Sequence, residues 1–278
     1  MFVKPSAKIV EDSVARNGKR LMTFEIVLPK VLLAEFNTHR VFSRNFSSSR
    51  AIPTAKFNAI ESWEPKFWGS NVPGMQSGDE VSAEAQVEMK RIWDETIAHN
   101  KAAAARLSEL GLHKQWANRM NDWHTMAKGV VTSTEWSNFF ELRNHKDAQP
   151  EIRDLAVSII EAMESSYPVL RQTYSSGAFD QSMWHLPYVL PEEREQARTQ
   201  DDINALLKYS TARCARASYL THGGDKPRPE EDVKLFERLV GSVPRHSSPT
   251  EHQATPLLFE CDRSGNFFGW KQHRGFIG

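Results

Sequence analysis

The segment Thr38-His39-Arg40-Val41-Phe42-Ser43-Arg44-Asn45-Phe46-Ser47-Ser48-Ser49-Arg50 packs three arginines, a histidine, an asparagine and four serines into thirteen residues. Guanidinium forks and hydroxyls at this density suit an anionic ligand, because Arg meets phosphate through two parallel charge-assisted hydrogen bonds. The same residues in an ordinary surface loop would only face water. Two other groups can do chemistry. Asn138-Phe139-Phe140-Glu141-Leu142-Arg143 reads as a helix on which residue 143 sits beside the 138/142 stack. Asn138 and Arg143 can therefore reach one ligand, and the plainer reading is a surface arginine at a helix end. His246-Ser247-Ser248-Pro249-Thr250-Glu251-His252 sets a carboxylate between two histidines. Its spacing matches no helical His-x-x-x-His face, so no metal site is predicted.

Ordered elements must hold these groups. Residues 7–12 and 20–28 alternate as two strands around the turn dipeptide Asn17-Gly18. Phe24 to Pro29 ends a strand at proline, and Lys30 to Asn37 reads as a short helix that delivers the arginine-rich segment. Residues 51–80, with Pro53, Pro65 and Pro73, read as an irregular excursion. Ser82 to Leu110 is proline-free and reads as a long helix stopped by Gly111, with a second helix from His113 through Arg119. Val130 to Thr134 is extended, and a helix starts near Ser137. Pro150 to Ser166 is helical, with Ile152, Leu155, Ile159 and Met163 on one stripe. Residues 167–200 read as loop, and Ala205–Arg216 and Glu230–Val240 as helices. The last forty residues read as loop with a strand near Leu257 to Cys261.

With 35 basic and 35 acidic residues there is no global field to recruit nucleic acid or an anionic membrane. No apolar run approaches a membrane span, and no signal-peptide core opens the chain, so a cytoplasmic protein is expected. Two cysteines, Cys214 and Cys261, build no disulfide framework. Cys214, on an Ala-rich helix, reads as a small buried residue. The 278 residues allow one substantial core, and the expectation is a single α/β (α+β) domain over residues 1–278.

A His-Arg pair, seven residues and then Ser-x-Arg resembles the signature of the flavin-dependent thymidylate synthases, in which Arg-His-Arg precedes that spacing. His39, Arg40, Ser43, Asn45, Ser48 and Arg50 keep the pattern. Thr38 replaces its first arginine, Phe46 a polar or acidic residue, and Glu35 a glutamine. Asn138–Arg143 resembles the family's Asn-Phe-x-x-Leu-Arg helix, while Thr132-Ser133-Thr134 replaces the Asn-Ala-Arg just before it. His246–His252 resembles the His-x-Ser-Pro-x-Glu-His segment, and Ala215-Arg216-Ala217-Ser218-Tyr219 the Ala-Arg-x-Ser-Tyr helix. The last two precede the Arg-His-Arg motif in typical members and follow it here, which implies a circular permutation with adjacent termini. Phe268–Arg274 faintly echoes the helix that leads into the family's His-Arg pair and is read as structural.

The resemblance implies a mixed sheet with long helices and a homotetramer with shared active sites. It also implies FAD as cofactor, with NADPH, methylenetetrahydrofolate and dUMP as substrates. It places Glu35, Ser48, Ser49, Arg50, Arg119 and Arg143 at the nucleotide, with Asn118 competing with Arg119 for its slot. His39, Arg40, Asn45, Asn138, Ser218 and His252 fall at the flavin. Arg143 is the catalytic residue, promoting ionisation of the uracil ring. Two alternatives remain open: a folate-dependent pyrimidine nucleotide hydroxymethylase without the full redox cycle, and a nucleotide-binding module without turnover.

Overall fold

The computed structural model describes residues 4–173, 181–217 and 228–277. Strands β1 (Ser6–Ala15) and β2 (Arg20–Pro29) form the expected hairpin. Gly18 takes φ +88°, which admits it to the turn at no steric cost, and Asn17 Oδ1 accepts the Lys19 N–H at 2.9 Å. After a 3-10 turn and helix α1 (Leu33–Asn37), the arginine-rich segment becomes strand β3 (Ser43–Phe46). A short helix α2 (Thr54–Asn58) interrupts the irregular excursion. The long helix α3 (Ala83–Glu109) follows, capped by Ser82 Oγ at the Ala85 N–H and ended at Gly111 with φ +89°. The helix expected from His113 through Arg119 divides into α4 (Lys114–Ala117) and a 3-10 turn, Asn118–Asn121.

Next come strand β4 (Met126–Ser133), helices α5 (Ser137–Arg143) and α6 (Pro150–Glu164), and edge strand β5 (Val169–Arg171). The sheet order is β3-β4-β2-β1-β5, with β5 parallel to β1 and the other pairs antiparallel, so the sheet is mixed. Helices α7 (Pro191–Gln196), α8 (Gln200–Ala217) and α9 (Pro229–Val240) precede a closing segment. That segment holds strands β6 (Ala254–Pro256), β7 (Arg263–Ser264), β8 (Phe267–Phe268) and β9 (Trp270–Gln272), and helix α10 (Arg274–Ile277).

Two expectations need correction. Residues 167–200 are not all loop, since β5 and α7 lie there; β5 is a three-residue edge strand beside Pro168, too short for a period to register. Leu257–Cys261 is not a strand: Leu258 and Phe259 project outward, and pairing falls to Ala254–Pro256 against Trp270–Gln272 instead. Met1 and Gly278, whose adjacency a permutation requires, lie outside the described residues.

Alternation along β2 divides the sheet. Met22, Phe24, Ile26 and Leu28 point to one face and bury against Ile152, Leu155 and Ile159 of α6, each side chain contributing about 1.5–3 kcal/mol. An aromatic group of Phe36, Phe42, Trp136 and Phe139 extends this core to the loop before β3. The other face carries Glu11, Ser13, Thr23, Lys128 and Thr132, and is covered by α8 and the closing segment. Leu155 is fully buried, so Leu155→Ala should cost about 2–5 kcal/mol, read as a lowered urea midpoint at unchanged slope.

Candidate functional site

The candidate residues gather in three places strung along β3. At its start, His39 and Arg143 meet: Arg143 Nε donates to His39 Nε2 at 3.1 Å, and Nη2 reaches Thr38 Oγ1 at 3.4 Å and the Glu35 carbonyl at 3.5 Å. Because a guanidinium only donates, His39 carries its proton on Nδ1. Burial lowers the His39 pKa, and Arg143 lowers it further, while the Asn138 side chain opposes both through a hydrogen bond. His39 stacks on Phe42 and meets the edge of Phe139, which fixes the ring plane. Three predicted residues, His39, Asn138 and Arg143, thus form one cluster, with Glu35 contributing its backbone.

At the middle of β3, His252 Nε2 lies 2.9 Å from Asn45 Oδ1, and Asn45 Nδ2 donates to Ser248 Oγ at 3.0 Å. Burial presses the His252 pKa to about 3, so its imidazole is neutral. Its Nδ1 lies 2.8 Å from Thr132 Oγ1. Thr132 in turn meets Thr23, Ser133 bonds backbone carbonyls, and Thr134 accepts the Phe268 N–H. The hydroxyls that replace the Asn-Ala-Arg of the motif are therefore engaged inside the fold. Phe46 is likewise internal: it packs edge-on to Phe36 and over Gly129, where any Cβ would collide with its ring.

Beyond the end of β3, Ser49 Oγ, Arg119 and Lys30 converge on Asp122, at 3.5, 2.6 and 2.6 Å respectively. Asn118 is fully buried and donates to the carbonyls of Ser49 and Ile52, holding the loop. Arg119, by contrast, is half exposed and held by Asp122. Arg50 and Arg40 are exposed and make no ion pair among the described residues, whereas Arg44 turns inward to the Phe42 carbonyl at 2.9 Å. The bonds of Ser48 to Arg50 run to this third place and not to Arg143 or His252. Ser218 lies outside the described residues.

The motif reading missed His185, Ser13, Thr23 and Arg171, which stand behind His252 in the fold. A threonine at an inward position of each of two neighbouring strands was the available signal. Among the described residues no group of His, Cys, Asp and Glu is arranged to hold a metal, and no helix is long and apolar enough to cross a membrane.

Residues 20–169 match the family described as Thy1, thymidylate synthase complementing protein. The match spans more than half of the chain and contains both the His39–Arg50 and Asn138–Arg143 segments, so the chain belongs to this family. The 215–219 and 246–252 segments fall beyond it. No curated protein matches the chain significantly. Among solved structures the chain is similar to a UMP/dUMP methylase, PolB, from Streptomyces cacaoi. Bound with 5-Br dUMP, that structure aligns at TM-score 0.48 and 15% identity over 58% of this chain and 90% of that one. Bound with 5-Br UMP it aligns at TM-score 0.49 and 17% identity, covering 58% and 88%.

Four buried histidines predict acid lability. His185 and His252, with His124 and His273 at about 4, all have pKa values pressed below 6.5 by burial. Above pH 6.5 they are neutral in both states and contribute nothing. As pH falls below 6.5 the unfolded chain takes up protons that the folded chain refuses, and each group removes about 1.4 kcal/mol of stability per pH unit. Urea midpoints should therefore fall steadily from pH 6.5 towards about 4, and a flat profile would contradict the burial of neutral imidazoles.

Proposed function

We propose that this chain is a flavin-dependent thymidylate synthase-like enzyme that transfers a one-carbon unit from methylenetetrahydrofolate to C5 of dUMP, with FAD and NADPH as reductant. Membership of the thymidylate synthase complementing family supports a dUMP-modifying enzyme. The observation that carries the finer reading is the Arg143–His39 contact, which joins two motif segments 104 residues apart in one polar cluster.

The donor set fits a flavin: an outward Asn45 amide, exposed Asn138, and Arg40, exposed and unpaired among the described residues, can serve a planar ring and its diphosphate. Bound flavin would supply the hydride that completes the methyl group. The chain's own residues do the rest. His39, neutral and accepting on Nε2, fixes the plane of the Arg143 guanidinium. Arg143 then stabilises negative charge developing on the pyrimidine, an electrostatic role of the oxyanion-hole kind. Ser48, Arg50 and Arg119 take the phosphate, with Ser49 beside them, and a bound phosphate would draw Arg119 from Asp122. Cys214 is fully buried with its thiol pKa pushed up, so it is no candidate for a thiolate nucleophile adding to the pyrimidine ring.

Within one chain β3 stands between the Ser48–Arg50 loop and Arg143, and the homotetramer that the family resemblance implies would let copies share the site. Exposed Met89 and Ile92, one helical turn apart on α3, give a second copy apolar surface to cover.

A second reading, hydroxymethylation without the redox cycle, is favoured by the internal engagement of Thr132, Ser133 and Thr134. The two readings divide on colour. FAD-reconstituted protein should show oxidised-flavin absorbance that NADPH bleaches; colourless protein with no FAD binding by calorimetry selects the second. Arg50→Ala should weaken dUMP binding by about 1.5–3 kcal/mol, and unchanged affinity would remove the phosphate assignment. Arg143→Lys should lower turnover more than affinity, because a point charge replaces a planar fork; an affinity loss at unchanged turnover would make it a binding residue only.

A further inference from the structure

A continuous chain of hydrogen bonds crosses the sheet from its far edge to Asn45. Arg171 Nε donates to Ser13 Oγ at 3.1 Å, and Ser13 Oγ lies 2.9 Å from His185 Nδ1. His185 Nε2 lies 2.7 Å from Thr23 Oγ1, which lies 2.7 Å from Thr132 Oγ1. Thr132 reaches His252 Nδ1 at 2.8 Å, and His252 Nε2 reaches Asn45 Oδ1 at 2.9 Å. Ser13, Thr23, Thr132, His185 and His252 are all fully buried.

The chain can be read in one direction only if every group is to be satisfied. Arg171 always donates, so Ser13 accepts and passes its own proton to His185 Nδ1. Each imidazole is neutral and carries one proton, so His185 donates from Nε2 to Thr23. Thr23 donates to Thr132, Thr132 to His252 Nδ1, and His252 from Nε2 to Asn45 Oδ1. The other end agrees, because Asn45 then points its NH2 outward, one N–H to Ser248 Oγ and the second left to face a ligand. Reversal would make Ser13 accept twice, leaving its buried hydroxyl proton without an acceptor, and would turn the Asn45 amide over. Bonds in such a series polarise one another in the same sense.

We propose that Arg171, Ser13, His185, Thr23 and Thr132 are positioning residues that fix the orientation of the Asn45 amide, so that the site presents a hydrogen-bond donor to an acceptor atom of its planar ligand. The ligand arm rests on the proposed function; the tautomer arm does not.

In two-bond 15N–1H spectra of histidine-labelled parent protein, His185 and His252 should both be Nε2–H tautomers. An Nδ1–H form at either overturns the proposal without any variant. Ser13→Asp installs an acceptor that donates nothing, so both histidines should switch to Nδ1–H. In Ser13→Asp/Thr132→Val only His185 should switch, and Thr132→Ser should behave as parent. FAD affinity of Ser13→Asp should fall about tenfold, the loss of roughly one hydrogen bond, while the double variant should bind like Thr132→Val alone. A switch of both tautomers with unchanged affinity overturns the role of Asn45. Parent protein that binds neither FAD nor dUMP defeats the functional reading, and the tautomer pattern still decides the relay.

Discussion

A sheet face built from hydroxyls, carboxylates and a lysine can be buried only if each polar atom finds a partner there, since an orphaned group costs about 1–3 kcal/mol. This requirement organises the second half of the chain. Thr23 and Thr132 face away from the α6 core at adjacent register positions, and two imidazoles must descend to meet them. His185 and His252 therefore have to arrive from sequence-distant segments. Gln253, beside His252, bonds Thr211 and Ser210 of α8, so satisfying the sheet also fastens the helix that covers it. None of the atoms along this relay is without a partner. An apolar face would have buried more readily, but it would not have fixed which way Asn45 presents its amide.

The arginines of the 38–50 segment divide their work by burial. Arg44 donates to carbonyls of its own loop and holds its shape, while Arg40 and Arg50 face outward. With the formal charge balanced overall, attraction for an anion is local to such places. Asp122 pairs with both Lys30 and Arg119 and so holds these two cationic groups in place. Burial lowers the Lys30 pKa and the nearby Arg119 lowers it further, while the hydrogen bond and charge of Asp122 work against both.

How much of this was legible in the sequence depended on the range of the signal. The Asn17-Gly18 turn, the proline end of β2, the Gly111 stop of α3 and the α6 stripe are encoded within a few residues, and each was readable. The α5 helix, with Asn138 near its start and Arg143 at its end, was readable for the same reason. Short edge strands were not, because β5 exists through pairing with Ser13 to Ala15 rather than through its own pattern. Of the candidate site, residue types in fixed spacing mark His39, Asn45, Asn138, Arg143 and His252, and the fold brings His39 to Arg143 and Asn45 to His252. The partners His185 and Arg171 were invisible, because nothing local marks a histidine between Trp184 and Leu186 as the neighbour of a serine 172 residues away. Phe46 and Thr132 looked like losses of ligand contacts; packing over Gly129 and bonding to His252 give them other work.

The order of segments bears on how the site closes. His252 bonds Asn45 across 207 residues, so the place of a segment in the chain does not set its place at the site. That is what a rearranged order of family segments needs: the fold must supply the same meeting point whichever side of the motif the histidine comes from. The same logic fails for Ser48 to Arg50. Strand β3 runs antiparallel to β4 and leaves toward Lys128, while α5 begins beyond Ser133 at the opposite end of β4. Four strand residues span about 13 Å, and no rearrangement of one chain shortens a strand. The strand therefore sets the distance that any ligand touching both the Ser48–Arg50 loop and the Arg143 cluster would have to bridge.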